Sequence, residues 1–111
     1  PDSEIGNLVV KRAVGMVHEY YRNGITLEEI AQRLGITPEY LGTQFHQEMK
    51  VNFSTYIKTF RMNKAKELLL GTQLKMYEIA ERVGYSDPKY FSRVFKAETG
   101  QLPVEYRRSH K

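Results

Sequence analysis

The chain of 111 residues is 41% hydrophobic and 27% charged, a composition typical of one compact domain or two small lobes. The absence of cysteine excludes disulfides and sulfur metal ligands and fits a reducing cytosol, and no apolar run reaches the ~18 residues of a membrane span. Residues 1–52 carry five Lys/Arg and seven Asp/Glu, whereas residues 53–111 carry twelve Lys/Arg and six Asp/Glu. The basic second half fits either attraction to phosphate or a merely solvated surface.

The first third of the chain predicts two helices. Apolar side chains spaced at i, i+3 and i+4 indicate a first helix from about Ile5 to Arg22, which Asn23–Gly24 should end. Thr26 and Glu29 predict a capping box at the start of a short second helix. Gly35 should end that helix, because glycine adopts left-handed backbone geometry without strain.

A third helix and a long fourth helix follow. Thr37 as N-cap and Pro38 at the first helical position predict the start of the third. Apolar spacing over Phe53–Leu70 predicts a rod of roughly 27 Å, ended by Gly71. Its outer face should carry the basic side chains of Lys58, Arg61, Lys64 and Lys66.

The last third predicts three shorter helices. One runs from about Met76 to Val83 and turns at Gly84, and another begins with Asp87 as cap and Pro88 at its first position. Pro103 opens the final helix. Since no segment shows the alternation of a strand, the prediction is an all-α fold of seven helices.

The two halves of the chain repeat each other. The segment Glu29–Phe45, EIAQRLGITPEYLGTQF, is similar to the segment Glu78–Phe95, EIAERVGYSDPKYFSRVF. Matching residues are 49 positions apart before the turn and 50 positions apart after it, because one residue is inserted in the turn. The order of a helix, a glycine turn and a second helix thus occurs twice. This repeat predicts two helix-turn-helix subdomains and indicates binding to double-stranded DNA. We expect the first in residues 1–51, a connecting helix in residues 52–71 and the second in residues 72–111.

The second unit offers the stronger candidates for reading bases. The outward, amino-terminal positions of a recognition helix enter the major groove, and here they are Lys89, Ser92 and Arg93. Arg93 can donate two hydrogen bonds to guanine, and Lys89 can read a base or hold a phosphate. Ser92 is short enough for close approach. Outside the repeat, the same residues would be an ordinary polar helix face.

Glu39, Gly42 and Thr43 are the corresponding candidates in the first unit. Glu39 either accepts a hydrogen bond from cytosine or only favours the positive end of the helix dipole. Thr43 can touch a thymine methyl group or a phosphate. Gly42 costs about 1 kcal/mol relative to alanine within a helix, which fits either close approach of another surface or tolerance of a weak helix former. This unit should therefore supply less of the base specificity.

Phosphate contacts are expected from backbone N–H groups at helix starts and from nearby polar or cationic side chains. The candidates are Thr26, His46, Asn52, Arg61, Lys64, Lys96, Arg107 and Arg108, with a further helix start at Pro103. Each side chain could equally serve solubility or helix capping. If Arg61 contacts phosphate, Arg61→Ala should weaken binding to all sequences and flatten the salt dependence by about one unit.

No motif in the sequence indicates catalysis. A nucleophile turn, a paired-carboxylate site and a glycine-rich phosphate loop are all absent. His18, His46 and His110 lack a regular ligand spacing, so we expect no metal and no cofactor. Tyr40 and Tyr90 should fill gaps beside the core and not stack on bases. We therefore predict a binding protein and not an enzyme.

The segment Glu78–Arg107, EIAERVGYSDPKYFSRVFKAETGQLPVEYR, resembles the signature of AraC/XylS-type transcription regulators. The resemblance extends over roughly Met16–Arg108. It implies seven helices, two helix-turn-helix units on a long connecting helix, and one chain bound across two adjacent major-groove segments of an asymmetric site. The base-facing residues that it implies are Glu39, Gly42, Thr43, Lys89, Ser92 and Arg93.

Two positions depart from the family pattern. The family often has arginine or another strong donor where this chain has Thr43, which puts base reading by the first unit in doubt. It usually has glycine where Lys50 stands, matching Gly100 in the second repeat. If Lys50 adopts left-handed geometry, the strain is of order 1–3 kcal/mol.

The resemblance also implies partners. Such domains are commonly joined to a sensing, dimerising or phospho-receiver domain, and most recruit or position RNA polymerase. The chain begins with Pro1, so we expect a piece of a larger protein, a bacterial regulator of the cytoplasm. The recognition helices should lie about 34 Å apart, one turn of DNA. In the alternative to DNA binding by both subdomains, the acidic first subdomain is a protein-interaction surface for RNA polymerase or a partner domain.

Overall fold

The structure is a computed structural model that describes residues 2–110, with side chains from Glu4 to His110. Within this range the chain forms seven α-helices and no strand, as expected. They are α1 (Asp2–Tyr20), α2 (Leu27–Leu34), α3 (Pro38–Met49), α4 (Phe53–Gly71), α5 (Met76–Arg82), α6 (Pro88–Thr99) and α7 (Pro103–Ser109), with one 3-10 turn at Tyr21–Asn23.

The helices belong to two compact units, one ending at Ile57 and the other beginning at Lys58. The first unit contains α1 to α3 and the start of α4, and the second contains the remainder of α4 and α5 to α7. Residues 53–57 carry no charge, so the acidic excess of the first unit and the basic excess of the second follow the sequence counts. The division into three parts with a separate connector remains a prediction.

The core of the first unit lies where α1 packs against α3. Buried apolar side chains come from one stripe of α1 and from the inner faces of α2 and α3, namely Val10, Ala13, Val17, Ile30, Ala31, Leu41 and Phe45. The Phe45 ring packs edge-on against Phe53 and Tyr56, with centroids 5.5 and 5.3 Å away. These contacts fix α3 by one face and leave its other face outward.

The core of the second unit repeats this arrangement around α6. Its buried residues are Met62, Ala65, Leu69, Ile79, Ala80, Val83, Phe91 and Phe95. The Arg107 side chain closes the end of α4: its Nε donates to the carbonyl of Leu69 at 2.8 Å and one Nη donates to that of Thr72 at 3.2 Å. The carbonyls at this helix end are thus satisfied by side-chain donors. Gly71 is the last helical residue and not a left-handed stop.

Each repeat forms one half of a capping box at its first helix. The Glu29 N–H donates to Thr26 Oγ1 at 3.1 Å, and the Thr26 hydroxyl donates to the Glu29 carboxylate at 3.3 Å. In the second repeat the backbone N–H of Lys75 donates to Glu78 Oε1 at 3.0 Å, the reverse half of the box. The prediction of a complete box at Thr26 is therefore only partly right.

Lys50 adopts left-handed geometry, with φ 64° and ψ 10°. It ends α3 as Gly100, with φ 83°, ends α6. The Lys50 N–H donates to the carbonyl of His46 at 2.9 Å, and the Gly100 N–H donates to that of Lys96 at 2.8 Å. The two helix ends are the same structure, and one of them carries a side chain where glycine is unstrained.

Candidate nucleic-acid interface

The outward face of α6 carries three cations. Phe91 and Phe95 are fully buried, and this fixes the orientation of the helix. Lys89, Arg93 and Lys96 are exposed, and their i, i+4, i+7 spacing places them on one face. Within the part of the chain that the structure describes, no carboxylate pairs with Lys89 or Lys96. Ammonium and guanidinium groups are therefore available here for an anionic or acceptor-rich surface.

The start of α6 is fixed by its own sequence. Asp87 Oδ1 accepts a hydrogen bond from the Lys89 N–H at 3.0 Å, and Pro88 occupies the first helical position. The predicted cap is confirmed. Ser92, between the buried and exposed faces, is half-buried. The positive end of the α6 dipole therefore lies beside Lys89, which favours an anion there.

Tyr90 is exposed on the same helix. Its side chain is 52% exposed, so the prediction that it fills a gap beside the core is wrong, whereas Tyr40 is half-buried. The Tyr90 ring centroid lies 5.9 Å from that of Tyr85, and Arg93 Cζ lies 6.0 Å from the Tyr90 centroid. Burial raises the pKa of the Tyr85 hydroxyl above its ordinary value, and the nearby Arg61 partly offsets this effect.

The outward face of α3 is less basic. Glu39, Thr43 and His46 are exposed and, with Gly42, line a shallow depression. The Thr43 hydroxyl donates to the carbonyl of Glu39 at 3.0 Å, which leaves its methyl group and lone pairs for another partner. A Cβ added at Gly42 would meet Leu27 Cδ2 at 3.6 Å, an ordinary contact. The structure thus brings together all the first-unit residues predicted to face bases.

Two of the predicted phosphate contacts lie at helix starts. Thr26 and Asn52 are exposed N-cap residues of α2 and α4, and Asn52 Oδ1 accepts from the Thr55 N–H at 2.9 Å. Each cap satisfies one amide, so the other first-turn amides remain for a phosphate. The start of α7 differs, because Pro103 is buried and the Leu102 N–H donates to Glu105 Oε1 at 2.8 Å.

The predicted cationic contacts fall into two groups. Lys96 and Arg108 are exposed. Arg61 and Lys64 are half-buried: Arg61 Cζ lies 5.7 Å from the Tyr85 centroid, and Lys64 pairs with Glu67 at 3.4 Å. Arg107 is half-buried as well. Its guanidinium donates to the carbonyls at the end of α4, so it has a role in the fold, and phosphate contacts by Arg107 and Arg108 stay predictions.

Other kinds of site were sought in residues 2–110. These residues contain no group of three or more His, Asp or Glu side chains that could hold a metal ion. None of their helices is long and apolar enough to cross a bilayer. The outward face of α3 and the outward face of α6 are therefore the candidate sites in this part of the chain.

Known proteins resemble this chain over most of its length. A helix-turn-helix domain model matches residues 30–109. The uncharacterised HTH-type transcriptional regulator YijO of Escherichia coli (strain K12) is 37% identical over 94 residues, which are 85% of this chain and 33% of the relative. YtdP of Bacillus subtilis (strain 168), described in the same words, is 36% identical over 94 residues, 85% of this chain and 12% of its own. The chain thus spans a third or less of these relatives.

Solved structures show the same arrangement of helices. The C-terminal domain of AraT, a response regulator from Geobacillus stearothermophilus, superposes with a TM-score of 0.89 at 41% identity, covering 91% of this chain and 84% of that one. The DNA-binding domain of AdpA, solved in complex with a target DNA, has a TM-score of 0.86 over 91% of each chain. Its identity of 21% shows a shared fold alone.

Proposed function

Since the chain belongs to the AraC-type helix-turn-helix family of transcription regulators, we propose that it binds double-stranded DNA sequence-specifically through α3 and α6. The observation that carries this proposal is the exposed cationic face of α6, held outward by the buried Phe91 and Phe95. In the proposed complex the two helices enter successive major-groove segments of an asymmetric site, with centres about 34 Å apart.

Each residue of α6 has a distinct proposed role. Arg93 reads guanine by donating to O6 and N7, and Lys89 reads an adjacent base or holds a phosphate. The small Ser92 lets the helix approach the base edges. Lys96 and Arg108 hold phosphates, together with the helix starts at Thr26 and Asn52, and these contacts set orientation without sequence information.

The corresponding readers of α3 are Glu39, Gly42 and Thr43, with His46 toward a phosphate. The Thr43 hydroxyl is bonded to the helix, and its methyl group is the part proposed to contact a thymine methyl group. The fold likeness to a domain solved with its target DNA supports this mode of binding.

We further propose that this domain works within a larger bacterial regulator of the cytoplasm. The AraT neighbour is the C-terminal domain of a response regulator, and the curated relatives are about three or more times longer than the aligned segment. A covalently linked sensing or receiver domain is therefore the proposed source of the signal, and RNA polymerase is the proposed target of the output.

Selection of bound sequences from a random duplex pool, at a stated salt concentration, tests the DNA-binding proposal. We expect one asymmetric motif with two conserved blocks about 10 base pairs apart, one helical turn. Recovery of no motif, with affinity that depends only on salt, would show nonspecific binding and overturn the proposal.

A second function is favoured for the first unit by its charge. That unit carries five Lys/Arg against seven Asp/Glu, and Glu39 stands where the second unit has Lys89. An acidic face is repelled by phosphate and suits a basic protein surface. On this alternative, α3 contacts RNA polymerase or a partner domain while α6 reads the DNA. The two proposals differ in whether the first conserved block appears in the selected motif.

A further inference from the structure

We propose that Tyr90 is a positioning residue for Arg93, and that a series of contacts from Arg61 through Tyr85 and Tyr90 to Arg93 holds the base-reading guanidinium in place. This inference rests on the proposed function and deepens it. All four residues belong to the second unit. Arg61 lies on α4, Tyr85 in the turn before α6, and Tyr90 and Arg93 on α6 itself.

Two rings lie between two cations in this series, and each neighbouring pair is separated by a short distance. Arg61 Cζ lies 5.7 Å from the Tyr85 centroid, the Tyr85 and Tyr90 centroids are 5.9 Å apart, and Arg93 Cζ lies 6.0 Å from the Tyr90 centroid. Cations within about 6 Å of a ring centroid are attracted by its π face. The two tyrosine rings are tilted by 51°, an arrangement that aromatic pairs favour over a flat sandwich.

The inner end of the series is anchored in the fold. The Tyr85 ring also packs on the fully buried Phe91, with centroids 5.7 Å apart. Burial raises the pKa of the Tyr85 hydroxyl above its ordinary value, and the nearby Arg61 partly offsets this effect. Tyr90, by contrast, is 52% exposed, so core packing covers only part of its ring. Its neighbour one turn along the helix is Arg93.

The first repeat lacks this series, although it has the same succession of helix, turn and helix. Ile36 stands in place of Tyr85 and Thr43 in place of Arg93. Tyr40, in place of Tyr90, is half-buried instead of exposed. The aromatic series is thus present where the recognition helix carries an arginine and absent where it does not. This correlation links the rings to the arginine and not to the helix-turn-helix fold in general.

A positioned arginine reads bases better than a free one. An unrestrained guanidinium samples many rotamers, and ordering them on binding costs entropy. A ring beside the guanidinium removes some of these rotamers before DNA arrives. The effect should appear as discrimination at the single base pair that Arg93 contacts, because the ring itself adds no hydrogen bond to a base.

The contact is tested first in the DNA-free protein. Proton chemical shifts of the Arg93 side chain should be displaced by the ring current of Tyr90. We expect this displacement in the wild-type chain and in Tyr90→Phe, which keeps the ring, and its loss in Tyr90→Leu, which keeps only bulk. Circular dichroism checks that helix content is equal in the three proteins. Identical Arg93 shifts in all three would overturn the contact.

The role in reading is tested with two duplexes, the selected site and the same site changed at the base pair where Arg93→Ala loses discrimination. We expect Tyr90→Leu to lower the affinity ratio of the two duplexes by about two- to fivefold, and Tyr90→Phe to preserve it. In an Arg93→Ala background, Tyr90→Leu should cause no further loss of the ratio. Tyr40→Leu, the matched change in the first repeat, should leave this ratio unaltered.

The outcomes separate this inference from the proposed function. If the wild-type chain selects a motif but Tyr90→Leu weakens both duplexes equally, DNA binding stands and the positioning role of Tyr90 is refuted. The same holds if Tyr90→Leu lowers the ratio as much in the Arg93→Ala background as in the wild-type chain. If the wild-type chain selects no motif, the proposed function itself fails, and the chemical shifts still decide whether the ring holds the arginine.

Discussion

Lys50 and Gly100 occupy the same position of the two repeats and share left-handed backbone geometry, with φ of 64° and 83°. For a residue with a Cβ this geometry costs about 1–2 kcal/mol, whereas glycine adopts it without steric strain. The third helix therefore ends with a strained residue and the sixth does not. The resemblance to the AraC/XylS family anticipated this strain, because glycine is usual at both positions.

We predict that Lys50→Gly raises the free energy of unfolding by about 1 kcal/mol, since relief of strain exceeds the larger entropy of an unfolded glycine. Urea unfolding followed by circular dichroism measures it. Gly100→Ala is the matched control and should lower the same quantity by about 1 kcal/mol. A Cβ at Gly100 meets nothing within 4 Å, so that loss reports backbone strain alone. Unchanged stability in Lys50→Gly would mean that this turn tolerates the lysine without strain.

The exposed cations of α6 should separate into base readers and phosphate binders. We predict that Arg93→Ala loses about 1–3 kcal/mol of discrimination at one base pair, because guanine loses a two-bond partner. Lys96→Ala should instead weaken binding to all sequences alike and reduce the slope of log affinity against log salt by about 0.9. Competition titrations with matched and scrambled duplexes at several salt concentrations measure both. Equal loss of Arg93→Ala on matched and scrambled duplexes would contradict its role.

At the scale of elements, local signals were sufficient to predict the helices. Caps such as Asp87 and turn residues such as Gly84 act within a few positions of chain, so their sequence pattern carries the structure. Tertiary contacts were not predictable in this way. The exposure of Tyr90 and the bonds from Arg107 to the end of α4 depend on residues distant in the sequence. Helical spacing alone does not predict which distant residues such side chains contact.

Gly42, on α3, the proposed recognition helix of the first unit, allows a further test at this scale. We predict that Gly42→Ala raises the free energy of unfolding by up to about 1 kcal/mol, because alanine is the better helix former. The added Cβ would lie 3.6 Å from Leu27 Cδ2, so it fits without displacement. Thermal or urea unfolding measures the gain.

The same variant distinguishes the two explanations for this glycine. If Gly42 lets α3 approach base edges closely, Gly42→Ala should bind the selected duplex more weakly although it folds more stably. Gly15→Ala, on the exposed face of α1 where a Cβ meets nothing within 4 Å, is the control that stabilises a helix away from the proposed interface. Undiminished affinity in Gly42→Ala would mean that the glycine is merely tolerated.

At the scale of the whole molecule, the two units differ more in net charge than in the order of their helices. Both contain the same succession of helix, turn and recognition helix, yet the first has five basic and seven acidic residues and the second twelve and six. Attraction to phosphate is additive over charges and independent of sequence. The second unit should therefore supply most of the association with DNA, and the first should add specificity or contact a protein.

Duplexes in which one half of the selected site is scrambled test this division of labour. We predict that scrambling the block read by α6 costs more affinity than scrambling the block read by α3, because Arg93 is the stronger donor and Thr43 and Glu39 make weaker contacts. Fluorescence anisotropy at fixed salt measures each loss. Because the phosphates are unchanged, the salt slope should be the same for all three duplexes, which isolates base reading from charge. A larger loss from the α3 block would reverse the assignment. If scrambling the α3 block causes no loss of affinity, a protein-interaction role for the first unit is supported, because the affinity of a helix that reads no bases does not depend on the base sequence.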